Sequence, residues 1–164
     1  MEKKDTEKLD LIKTATGNMK AATDQQLAWR KEAEECDSFV AGHQWDKEDM
    51  NRMKEMQKPA ITYNRILPMV NAIVGTEIQN RQKMIFVPRH PTNEEAAGAS
   101  DLATEAYSWA LAQCSGEYER TIAFRDMVIR GIGWVGTRMD YNDDIDGKLL
   151  LDRVDGMEMH YDPD

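Results

Sequence analysis

The residues best equipped to do chemistry cluster in the last third of the chain. Gly131-Ile132-Gly133-Trp134-Val135-Gly136 spells GxGxxG, a pattern whose glycines let backbone approach a pyrophosphate in dinucleotide-binding folds. Such a site needs a strand before the glycines and a helix after them, so that the helix N-terminus faces the phosphates. Here the apolar spacing predicts a helix before and a strand after, and Arg138 stands where a kinase-type loop carries an apolar residue. The glycines therefore read as a helix-to-strand turn, and no cofactor site is expected. Just downstream, Asn142, Asp144, Asp146 and Gly147 match the first ligands of a calcium-binding EF-hand loop. That loop requires a bidentate Glu at its twelfth place, and Arg153 occupies it. An acidic hairpin tip is expected there, and no metal site.

Other candidates are weaker still. His43, His90 and His160 are scattered without a second ligand at helical or turn spacing. No nucleophile elbow, phosphate loop or arguable carboxylate pair is present, so no catalytic residue is predicted and the chain does not read as an enzyme. Cys36 and Cys114 lie far apart without a flanking ligand pattern and read as reduced, small apolar residues. Arg81, Lys83 and Arg89 flank the apolar run MIFVP. They are read as a charged strand edge that discourages aggregation, with contact to a partner as the alternative.

These residues sit on a chain of 164 residues with net charge −9, 41% hydrophobic and 31% charged. That is enough for one compact core, and the acidic balance disfavours tight generic binding to a phosphate backbone. The N-terminus MEKKDTEKLD has no signal-peptide core, and no stretch has the length to cross a bilayer. A soluble protein made in a cytoplasm is expected.

Residues 1–22 mix Lys, Glu, Asp and Thr and include the turn-favouring pair Gly17-Asn18, so they read as a mobile arm. From Thr23, with Gln26 completing a capping box, the positions Gln26, Trp29, Ala33, Cys36 and Val40 mark one helical face, closed by Gly42. The same face extends back through Ile12, Ala15, Met19 and Ala22, which would lengthen the helix if a partner covered it. Asp46 is placed to cap a short helix with a core stripe of Met50, Met53 and Met56, ended by Pro59. KPAITYN reads as extended, and Asn64 as the cap of a helix with Ile66, Val70, Ile73 and Val74 on its apolar face. Its interior Gly75 suggests close helix packing. MIFVP, residues 84–88, is predicted as a strand, followed by a turn over 89–93. Thr92 and Glu95 are read as a capping box for a helix presenting Leu102, Ala106, Trp109 and Gln113 to the core. After Ser115-Gly116 a further helix, from about Glu117 to Arg130, directs Tyr118, Ile122 and Ile129 inward and closes on Gly131 and Gly133. WVGTRMDY and KLLLDRV form a β-hairpin turned at Asp146-Gly147, and a third strand is expected to start at Met157 to Tyr161. The ending HYDPD reads as cut short. The fold class is α+β, mostly helical in the first two thirds with a small antiparallel sheet late.

Taken in order, GHQW, QKPAITYNRILPMVNAIVGTEIQNRQ, IFVP, FRDMVIRGIGWVGTRMDY and VDGMEMHYDPD resemble the N-terminal part of the portal proteins of short-tailed bacteriophages. The resemblance covers about residues 36–164. It rests on Gly42, Gln44, Trp45, Pro59, Asn64, Gly75, Asn80, Arg81, Gly131, Gly133, Asp162 and Pro163 as a set. All are structural residue types: Trp45 suits a buried anchor, the prolines fix extended turns, and the glycines permit close approach or positive φ. The resemblance implies residues 23–164 as part of a larger portal subunit, in a typically dodecameric ring at one capsid vertex of the virion, assembled in the host cytoplasm. It implies contacts with other portal subunits, capsid and scaffolding proteins, terminase and tail adaptor proteins. Double-stranded DNA would pass without sequence-specific binding, and no membrane is involved. A competing reading from composition is a small acidic adaptor that holds partner helices with its Met-rich segment and arm.

Overall fold

The structure, a computed structural model, describes residues 2–89, 94–142 and 145–161, with side chains from Lys8 onward. Among these are five helices, α1 (Glu2–Val40), α2 (Lys47–Glu55), α3 (Ile66–Gln79), α4 (Glu94–Gln113) and α5 (Gly116–Arg130). They are followed by a hairpin of β1 (Trp134–Asp140) and β2 (Lys148–Val154), so the α+β class with a late antiparallel sheet holds. The chain divides into two compact units, one of Met1–Asn64 with Asp155–Asp164, the other of Arg65–Val154.

In the first unit, α1 runs unbroken through the residues read as an arm, and nothing in the helix marks position 22. Lys, Glu, Ala and Leu favour helix, and no proline interrupts them. Thr14, Thr16 and Thr23 donate their hydroxyls to the carbonyls of Asp10, Ile12 and Met19, so groups that compete for the backbone are satisfied inside the helix. Thr23 is thus an interior residue and not a cap, and Gln26 is no capping-box partner. The helix ends as its sequence predicts. Gly42 takes φ +92°, its N–H bonds Phe39 O, and His43 N–H bonds Ser38 O, a Schellman closure. Asp46 caps α2 through Lys47 N at 3.1 Å. Yet α2 buries nothing, and Met50 and Met56 are exposed, so the methionine stripe is not core. Residues 157–161 form a turn and irregular backbone where a third strand was expected.

In the second unit α5 is central: α3, α4 and both strands pack on it. Val70 and Ala123 are its buried apolar residues. The hairpin pairs Trp134 with Val154 through Asp140 with Lys148, and Gly147 turns at φ +81°. Three expectations fail here. MIFVP is unpaired backbone, with Phe86 N donating to Thr104 Oγ1 and the Phe86 ring edge-on to Tyr107 of α4. A strand needs a neighbouring edge, and a helix lies beside it instead. The covered face of α4 runs through Ala103, Tyr107, Ala110 and Leu111, while Leu102 and Trp109 are each 67% exposed. The amphipathic stripe that the spacing selects is therefore the outer one. Tyr118 is likewise 64% exposed, whereas Ile122 and Ile129 are partly covered. Thr92 lies outside the described residues.

A methyl group added at Gly75 meets nothing within 4 Å, so close packing does not explain this glycine. Gly75→Ala is expected to stabilise the second unit by about 1 kcal/mol, because alanine costs less helix entropy. A urea midpoint that falls instead would show a hidden contact.

Candidate functional site

The polar chemistry of the second unit is organised by two arginines on opposite sides of α5. Arg81 follows α3, whose last residue Gln79 is succeeded by Asn80 as C-cap. Asn80 donates backbone N–H and side-chain Nδ2 to Thr76 O, each at 3.0 Å. This fixes the exit direction of the chain and sends Arg81 toward α5. Its guanidinium pairs with Glu77 at 3.5 Å and Glu117 at 2.9 Å, and also donates to Thr121 Oγ1. Arg81 therefore ties α3 to the first turns of α5. It is a joint between helices and not a strand edge, since no strand is there. Across α5, Arg153 of β2 donates its backbone N–H to Glu119 at 2.8 Å and its guanidinium to Asp126. The residue that spoils the EF-hand pattern is the clamp between sheet and helix.

Beside Arg81 opens a cavity of about 470 Å³ lined by Ile78, Lys83, Met84, Tyr107, Leu111 and Arg120, among others. Glu117, engaged by Arg81, faces the same space. The cavity suits an apolar side chain with an acidic neighbour, since Arg81, Lys83 and Arg120 line it beside Ile78, Met84 and Leu111.

In the first unit, the polar centre is α1 against the chain's last described residues. Arg30 donates to the carbonyls of Met157 and Met159, the latter at 2.9 Å, and to Gln26 Oε1 at 3.3 Å. Gln26, only 1% exposed, reaches Tyr161 O at 3.5 Å. Carbonyls that a strand partner would have used are satisfied by a helix instead. Arg30→Ala should leave them unpaired, at about 1–3 kcal/mol each when buried. Faster amide exchange confined to residues 155–161 is the expected readout.

The residues of the family resemblance are distributed over both units. Gly42 closes α1, and a side chain there would lie 3.6 Å from Asn64 Nδ2, which itself donates to Val40 O at 2.7 Å. Asn64 thus locks the end of α1, and α3 begins after it at Ile66. Gln44 is partly covered, but Trp45 is 36% exposed and is not the buried anchor expected of it. Pro59 lies in the unpaired stretch before α3. Gly75, Asn80 and Arg81 belong to α3 and its exit. Gly131 ends α5 at φ +83°, and Gly133 sits under the helix with room for no side chain. Asp162 and Pro163 lie outside the described residues, as do His90 and Asp144. Cys36 is exposed and Cys114 partly covered, both as free thiols. No helix among the described residues is long and apolar enough to cross a membrane.

Gln26, Arg30 and Arg153 were missed by sequence reasoning as organising residues. Their only signal was a large polar side chain at a covered helical or strand position.

The set is one of turns, caps and inter-element clamps, with polar groups engaged in holding backbone. Comparison with curated proteins finds no match. A family model described as the Phage P22-like portal protein matches residues 16–164. Because that match spans nearly the whole chain, the protein belongs to the phage P22-like portal family, structural proteins of the bacteriophage virion.

Proposed function

We propose that this chain is part of a ring subunit at the portal vertex of the capsid, serving as conduit for double-stranded DNA during packaging and ejection and as platform for tail attachment. The family match over residues 16–164 carries the reading. Neighbouring subunits, capsid and scaffolding proteins, terminase and tail adaptors are its partners in that role. Two physical features support it. The net charge of −9 suits a passage in which DNA must slide, since strong basic contacts to phosphates would hold it. The large apolar side chains left exposed on α1 and α4 suit a protein whose neighbours complete its packing.

The test is electron microscopy and light scattering of the complete gene product. Ring-shaped particles with a central channel are expected. A monomer that persists at high concentration would overturn the ring and favour the adaptor reading.

A further inference from the structure

We infer that the first half of α1 from one copy of this chain packs along the outer face of α4 of a second copy. The inference rests on the ring reading for the presence of that second copy, and names the surfaces that meet.

The outer face of α4 is a stripe of Leu102, Ala106, Trp109 and Gln113 at the 4-3-4 spacing of a coiled-coil seam. Leu102 and Trp109 are the large exposed apolar groups on it. Asp101 and Glu105 precede Leu102 and Ala106 by one residue and border the stripe. The helix carries Glu94, Glu95, Asp101 and Glu105 and no basic residue at all.

The first half of α1 is its complement. Residues 8–21 are all exposed, and α1 does not pack on α2 within its own unit. Leu9, Ile12, Ala15 and Met19 form an apolar arc continuous with Ala22, Gln26 and Ala33, which the unit covers. Lys13 and Lys20 follow Ile12 and Met19 by one residue, and Lys8 stands at the start of the arc. None of these lysines, nor Asp101 nor Glu105, has an ion-pair partner among the described residues. A helix gains most of its stability from burying an apolar face, and this stretch has no such cover in its own unit.

Charge selects the pairing. Two α4 faces would bring acidic borders together, and two α1 arcs would bring lysines together, both repulsive. Only α1 on α4 matches an apolar arc to an apolar stripe and a basic border to an acidic one. The lysines follow their seam positions and the acids precede theirs, so the two borders fall on the same side of the seam when the helices run parallel. Because the two surfaces differ, the contact is head-to-tail, the type that closes rings.

The experiment uses two variants of the complete gene product. One carries Lys8→Glu, Lys13→Glu and Lys20→Glu, the other Asp101→Lys and Glu105→Lys. Light scattering should show each alone associating at least about tenfold more weakly, because like charges now face each other. Far-UV circular dichroism should show no loss beyond the helix of residues 8–21, which only the contact covers, since Lys and Glu have similar helix propensity. Mixing the two should restore assembly, because the acidic arc of one meets the basic face of the other. Rings from both unmixed variants would overturn this contact and leave the ring reading standing. Failure of mixing to restore assembly, including the case where only a chain with both sets recovers, would overturn the contact between copies. An unmodified protein that forms no rings would overturn the ring reading and this contact together.

Discussion

Gly133→Ala is expected to destabilise the protein by about 3 kcal/mol, the upper range for forcing atoms into a filled site. A methyl group at Gly133 would lie 2.0 Å from Ala123 O and 3.3 Å from Met127 Cβ. Ala123 is buried, and its carbonyl belongs to the interior of α5, so it cannot swing aside as a long side chain would. Relief requires lifting the start of β1 away from the helix. Gly131 is the internal control. Its φ of +83° penalises a side chain through backbone strain, but a methyl there meets nothing within 4 Å. Gly131→Ala should therefore cost only about 1–2 kcal/mol. Urea unfolding of the two variants checks the difference. Equal midpoints would refute the steric account and leave only a shared preference for flexible turns.

That contrast shows what kind of information the sequence holds. The direction of the helix-to-strand turn was legible because order alone distinguishes it from a nucleotide loop. Gly42 and Asp46 were legible for the same local reason, since their roles depend on neighbours within a few residues. Faces were less so. The spacing of Leu102, Ala106 and Trp109 correctly identified an apolar stripe, but periodicity cannot say whether the chain itself or another molecule covers it. The partly covered face carries the small residues Ala103 and Ala110, a signal weaker than tryptophan's. MIFVP was misread because extended, β-branched composition describes a conformation and not a pairing partner. Arg81 and Arg153 were opaque as clamps, since their carboxylate partners lie 36 and 27 residues away. The helix runs through Gly17-Asn18, whose local cost of about 1 kcal/mol is small beside the cooperativity of the surrounding helix.

The Arg153 clamp carries the other large expected effect. Its side chain is 26% exposed and that of Asp126 is 14% exposed, so the pair is screened only in part. Removing one partner leaves the other's charge poorly solvated, and Arg153→Ala should cost about 2–4 kcal/mol, somewhat below the loss for a fully buried pair. Asp126→Asn should cost less, because the amide still accepts a hydrogen bond from the guanidinium. The double variant Arg153→Met with Asp126→Leu removes both charges while keeping bulk between β2 and α5. It should recover most of the loss, since a well-packed apolar pair often equals an ion pair in stability. The surface pair Arg138–Asp152, with side chains 60% and 49% exposed, provides the scale for a solvated contact, and Arg138→Ala should cost under about 1 kcal/mol. A double-mutant cycle separates the contributions: a coupling energy of about 1–3 kcal/mol is expected for Arg153 with Asp126. Coupling near zero would mean that the apolar stem of Arg153, and not its charge, holds the sheet to α5. The backbone bond from Arg153 to Glu119 survives every one of these substitutions, as does the pairing of β2 with β1, so β2 should stay attached in all the variants.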